Sequence, residues 1–319
     1  MAMSIGCGAS EPDATAPKAG DANAPATQVD LPDVADLPTR ADGVAVAYKY
    51  RMTHDCRRTS ALPDGQQSVV DERTQSVYSW HWQGNEAALV LHRIDFEVSA
   101  DDQLAMKSSM TRSRRVVEQD DVTLDDAFAD LNPQWQEVLE SSFDTPLCNL
   151  VIDDGGNQLQ RTVTDRPGAK MVIDRGIVAN ARLFQGPFPS GRNAWEAAAE
   201  IAVPHYASGT LAYEIVDPPT VTGDDLIEVH VSGKLVGTPA TGSPGTESFD
   251  TEAADVGNVS YTLEGTVVYS RRMQQWIAGN LEAELTFDAF LMGQKIPTLA
   301  KVVLSMTLLS SETVDTSVD

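Results

Sequence analysis

The chain has 319 residues, of which 47 are acidic and 23 basic, for a formal charge of −24. So acidic a surface repels phosphate, which disfavours nucleic-acid binding and a peripheral grip on anionic lipid; it fits solubility, a basic partner or Ca²⁺. No stretch approaches about 18 uncharged apolar residues, so no membrane-spanning helix is expected.

Residues 8–42 are dominated by Ala, Pro, Asp and Thr and hold no aromatic residue. Such a composition cannot bury enough surface to offset its ordering entropy, so residues 1–42 are expected to form a disordered tether. Near its start, Ser4-Ile5-Gly6-Cys7 puts small residues before a cysteine. The run resembles the end of a bacterial lipobox, whose Cys is acylated after signal cleavage. It departs from that pattern in having Ser4 where Leu is usual and no charged-then-apolar segment ahead of it. The resemblance implies a lipid anchor on Cys7; the plain alternative is a chance Gly-Cys-Gly.

From residue 43 the chain alternates. Val44, Val46, Tyr48, Tyr50 and Met52 point one way and Lys49 and Arg51 the other, as on a half-buried strand. Two further runs, 74–82 and 87–98, flank Gly84-Asn85, a pair suited to a two-residue hairpin loop. With Gln83 opposite Glu86, Tyr78, Trp80 and Trp82 face Leu91, Leu89 and Ala87. The other side then carries Val77, His81, Val90, His92, Ile94 and Phe96. A strand over 104–117 ends in Arg112, Arg114 and Arg115.

The middle reads as helical over about 124–142. Thr123 and Asp126 form a weak capping box, Leu124, Phe128 and Leu131 follow at helical spacing, and Pro133 can open a second helix with Trp135, Val138 and Leu139. A hairpin over 147–164 turns at residues 153–157, and residues 168–184 read as a helix despite Gly176. Gly186-Pro-Phe-Pro is a break. Strands then resume at Trp195–Val203, Leu211–Ile215, Ile227–Leu235, Tyr261–Tyr269, Leu281–Ala289 and Val302–Leu308, with an unusually long loop over 237–257. Strands and helices segregated in this way predict an α+β, mainly β fold. It is expected to have strongly curved antiparallel sheets and two or three central helices. The expected lobes are 43–167 and 168–310, with a frayed tail at 311–319.

Motifs for chemistry are scarce. Nucleotide-binding glycine loops and serine-nucleophile signatures are absent in usable settings, and Asp153-Asp154-Gly155-Gly156-Asn157 lacks the ladder of a calcium loop. His54-Asp55-Cys56 has no second ligand at zinc spacing. His81 and His92 share a hairpin face and suit either a metal pair or ordinary strand positions. No metal or cofactor is expected, and the chain reads as non-enzymatic. Tyr78, Trp80 and Trp82 suit either a groove for an apolar or aromatic ligand or the core of a twisted sheet. With Cys7 acylated, Cys56 and Cys148 remain, as a disulfide outside the cytoplasm or as two thiols.

Taken with Gly186-Pro-Phe-Pro and Trp195-x-Ala, the tether and strand rhythm resemble an uncharacterised group of bacterial envelope lipoproteins. In that group an acylated Cys and a spacer precede a β-rich body. The resemblance implies a lipid-anchored envelope location, periplasmic or surface-facing, with an apolar ligand or a protein as partner. The alternatives are a subunit of a surface layer and, remotely, a carboxylate-dependent hydrolase.

Overall fold

The computed structural model describes residues 31, 37–39, 44–62, 65–101, 103–119, 122–153, 158–164, 166, 177–184, 188–189, 191–201, 205–221, 223, 225–237, 256–291 and 294–314. Fourteen strands lie among them. The first eight are β1 (Val46–Ala61), β2 (Gln67–Gln83), β3 (Glu86–Ala100), β4 (Gln103–Thr111), β5 (Arg114–Gln119), β6 (Val122–Ala127), β7 (Pro146–Ile152) and β8 (Gln158–Val163). The rest are β9 (Ala194–Ile201), β10 (Ala207–Ile215), β11 (Leu226–Val236), β12 (Val256–Ser270), β13 (Gln275–Leu291) and β14 (Gln294–Thr313). The fold is mainly β, as the alternation predicts.

All the strands belong to one antiparallel sheet, in the order β6-β5-β4-β3-β2-β1-β14-β13-β12-β11-β10-β9. It is partly curved and does not close into a barrel. The first strand pairs with the last, from Val46 opposite Thr313 to Ser60 opposite Thr298, so the two expected lobes are stitched edge to edge. At β3 the sheet forks: residues 93–100 pair with β4, while residues 86–90 pair with β7, which carries β8.

Alternation decides the faces. On β1, Tyr48, Tyr50, Met52 and Cys56 are buried while Lys49, Arg51 and Arg57 are exposed; on β14, Val302, Leu304, Met306 and Leu308 are buried beside them. This inner face is the core. Each of its large side chains contributes roughly 1.5–3 kcal/mol by leaving water. The outer face carries ion pairs such as Arg57–Asp71 at 3.6 Å and Arg73–Asp55 at 3.4 Å.

Glycine lets β12 and β13 approach their neighbours closely. A Cβ on Gly265 would run into the carbonyl of Asn280 on the neighbouring strand. One on Gly279 would lie 2.8 Å from both Val267 and the Phe184 ring. Phe184 follows the short helix α2 (Ile177–Leu183), the described part of the helix read over 168–184, and seats on the bare backbone that Gly279 leaves.

Several expectations need correction. The run 104–117 is not one strand: β4 ends at Thr111 and the chain folds back at Arg112-Ser113 into β5. Residues 124–142 are helical only in their second half. Val122–Ala127 is an edge strand on β5, where Arg114 holds Asp125 (2.7 Å) and Arg115 faces Asp126 (3.9 Å). A 3₁₀ turn, Phe128–Asp130, precedes helix α1 (Pro133–Ser142). This helix has what the first half lacks: the Asn132 side chain accepts from Trp135 N at 3.0 Å, and Pro133 fits the first turn.

Residues 31 and 37–39, inside the expected tether, meet the body. Leu31 and Leu37 pack against the core, Arg272 Nη1 donates to Leu37 O at 3.2 Å, and Ser311 Oγ donates to Pro38 O at 3.0 Å. At the other end, Ser311–Thr313 belong to β14 rather than to a frayed tail, and Val314 N donates to Ala45 O at 2.8 Å.

Candidate functional site

The hairpin register matches expectation where the candidate residues lie. Trp82, Trp80 and Tyr78 pair with Ala87, Leu89 and Leu91. All three aromatic side chains are buried, Tyr78 stacks on Tyr50 at 5.5 Å, and the same cluster contains Leu139 and Phe143 of the α1 region. The protein's own side chains therefore cover the rings, and these residues are core.

Past Leu91 the register slips by one residue. A bulge gives β3 an extra residue, His92, so Ile94 pairs with Ser76 and Phe96 with Thr74. Ile94 and Phe96, expected beside His81 and His92, thereby turn to the inner face.

That flip builds an apolar ledge. Continuing the registers through β4, β5 and β6, Phe96, Val98, Met106, Val117, Val122 and Leu124 share the inner face, while a second bulge turns Leu104, opposite Ser99, to the outer one. Near its start Arg115 sits 4.0 Å over the Trp135 ring of α1. Beyond it the cover thins: Val122 and Leu124 are 58% and 49% exposed. The rows end at β6, an open edge of the sheet.

On the outer face, His81 and His92 do meet, around a residue that spacing motifs did not single out. Ser79 Oγ lies 2.7 Å from His81 Nε2 and 2.8 Å from His92 Nε2, and His92 Nδ1 lies 2.7 Å from Asp144 Oδ1. Burial lowers the pKa of His81, and neighbouring His92 lowers it further, against a weaker pull from Glu312. Ser79 was legible in principle, two residues before His81 on the same strand. Asp144 was not, since it arrives from the loop after α1.

Cys56 and Cys148 are free, buried thiols; the bridge is not formed. Cys148 pairs with Leu89, which faces Trp80, which faces Tyr48. Cys56 lies eight residues along β1 from Tyr48 (48 to 56), roughly 26 Å at ~3.3 Å per residue, whereas a disulfide needs Cα atoms within ~7 Å. Burial, then Glu72, pushes the Cys56 thiol up to about 12, and burial raises that of Cys148. Cys7 lies outside the described residues, as do residues 154–157 of the acidic turn and 238–255 of the long loop.

Among the described residues no group of three or more His, Cys, Asp or Glu side chains is placed to hold a metal ion. No helix there is long and apolar enough to cross a membrane.

With this geometry the chain is a mainly-β protein built on one open, curved antiparallel sheet. No known protein family matches it, and neither does any curated protein. Among solved structures it is similar to one titled for lipid-protein interactions in lipovitellin, at 8% identity and a TM-score of 0.46 over 86% of this chain. It spans only 26% of that chain. Two Pseudomonas aeruginosa proteins are more distant. OpdQ has 7% identity and a TM-score of 0.18 over 82% of this chain and 98% of its own. OccK2 (OpdF) has 10% identity and a TM-score of 0.13 over 80% and 64%.

Proposed function

We propose that this is a lipid-anchored protein of the bacterial envelope, facing the periplasm or the surface, whose folded body binds an apolar acyl ligand along the β4–β6 ledge. The observation that supports it is the run of inner-face apolar rows past the cover of α1 to an open edge. Half uncovered, the outermost of those side chains forgo roughly 1 kcal/mol each, which a bound acyl chain would restore. The net charge of −24 disfavours anionic headgroups and favours an uncharged lipid such as a diacylglycerol. The anchor reading rests on the lipobox resemblance at Cys7. A flexible spacer from there to Leu31, where the chain meets the body, would span about 27 Å at ~5.5 Å × √24.

The test uses pyrene-labelled diacylglycerol. The unmodified protein should bind it saturably, and Val122→Asp with Leu124→Asp should weaken binding at least about tenfold, since each 1.4 kcal/mol is a factor of ten. Equal binding by both proteins would remove the ledge as the site. The anchor is tested separately: palmitate fed to a bacterial host should label the protein expressed from its natural precursor, and Cys7→Ser should abolish the label.

A further inference from the structure

Two backbone irregularities converge on Ser79. The β3 bulge supplies His92 as an extra outward residue, and Asp144 holds a left-handed conformation, φ 54°, pinned by its N–H donating to Leu91 O at 2.8 Å. Bulges re-aim side chains and non-glycine residues seldom hold such a backbone, and both features gather where a site needs particular geometry. Here they bring a carboxylate, an imidazole and a hydroxyl from three segments into one line.

Proton counting orders that line. Ser79 has one hydroxyl proton and two imidazole neighbours, so one ring accepts and the other donates. Asp144 accepts from His92 Nδ1–H, which leaves His92 Nε2 free to accept from Ser79; His81 Nε2–H then donates to Ser79 Oγ. Ser79 is only 2% exposed, and half-buried His81 covers it. His81 also lines a neighbouring pocket of about 240 Å³ at the hairpin's turn end, with Trp82, Glu86, Ala88, Asn149 and Val314 among its other walls; Ser79 and His92 are not in that lining, and His81 alone joins the pocket to them.

We propose that Ser79, His92 and Asp144 act as nucleophile, base and orienting carboxylate in the hydrolysis of a small uncharged carboxylic ester entered through this pocket. The His81 ring is the cover that swings aside. Ser79 Oγ attacks the ester carbonyl carbon while its proton passes to His92 Nε2. The bond from that carbon to the alcohol oxygen breaks, and the alcohol leaves with the proton. Water then attacks the acyl-Ser79 ester and gives a proton to His92, which returns it to Ser79 Oγ as the carboxylic acid departs. Glu86 in the pocket wall and the acidic surface select against anionic esters. This activity goes beyond the binding role, departs from the non-enzymatic expectation drawn from the sequence motifs and does not depend on the ledge.

The experiment treats the full chain with a fluorophosphonate and, separately, with p-nitrophenyl acetate. One adduct should map to Ser79. Nitrophenolate release should fall at least about hundredfold in Ser79→Ala and in Asp144→Asn, the loss expected when nucleophile or base function is removed. Asp144→Asn changes one partly exposed side chain, and an unchanged urea midpoint shows that the body is folded whether or not the ledge binds lipid. His81→Ala should label faster; unchanged labelling would remove His81 as the cover. No adduct on Ser79, or undiminished release by Asp144→Asn with the urea midpoint unchanged, would overturn the proposal.

Discussion

The hydroxyl of Tyr261 donates to the carbonyl of His205 at 2.8 Å and accepts from the amide of the same residue at 3.2 Å. One phenol thus satisfies both main-chain groups of a residue approaching β10, and the His205 ring is held edge-on to Phe287 at 4.3 Å. Burial, and then the Arg58 guanidinium, lower the His205 pKa to about 4.

Protonation of His205 should therefore oppose folding. Between about pH 6.5 and about pH 4 the unfolded chain binds a proton there that the folded protein refuses, so stability falls as pH falls through that window. The loss is at most about 3 kcal/mol. Urea unfolding at pH 7 and pH 5 should show the drop, and His205→Phe, which keeps the main-chain bonds to Tyr261, should make it smaller.

Gly265 and Gly279 should rank in order. At Gly265 an added methyl meets the Asn280 backbone, which cannot step aside, whereas at Gly279 it meets two side chains with some room to repack. Gly265→Ala should cost about 3 kcal/mol and Gly279→Ala about 1–2 kcal/mol, both as lowered urea midpoints.

Glu228 is 7% exposed, and one carboxylate oxygen accepts from Thr220 N (2.6 Å), Thr220 Oγ1 (2.8 Å) and Val221 N (3.3 Å). Glu228→Ala strands these donors and should cost about 2–4 kcal/mol, whereas Glu228→Gln keeps an acceptor and should cost less than half of that. Thermal melting of both variants, with amide exchange at Thr220 and Val221, reads the difference.

Both thiols of the folded body should alkylate in denaturant without any reductant. In native buffer neither should react within hours, because each is buried and its thiolate disfavoured. Mass spectrometry under the two conditions separates free thiols from a bridge.

The hairpin shows how far the sequence could be read. Gly84-Asn85 and the alternation on either side were enough to pair Trp80 with Leu89 and Tyr78 with Leu91. The slip at His92 was invisible, because Val90, His92, Ile94 and Phe96 alternate just as well without it; only the partner strand reveals which residue is extra. The helical spacing of Leu124, Phe128 and Leu131 misled for a related reason. Three apolar residues cannot outweigh a neighbouring strand whose Arg114 and Arg115 meet Asp125 and Asp126. In the candidate site, both histidines were legible as neighbours. Asp144 was beyond reach, since loop geometry rather than periodicity delivers it.

The seam between β1 and β14 also bears on how the molecule comes into being. A ribosome makes Val46 long before Thr313, so any part of the sheet that forms early keeps β1 as a raw edge until β14 joins it. During that interval β1 offers unpaired amides and carbonyls to any passing chain. A factor that shields β1, or folding that waits until β14 is made, would guard that edge.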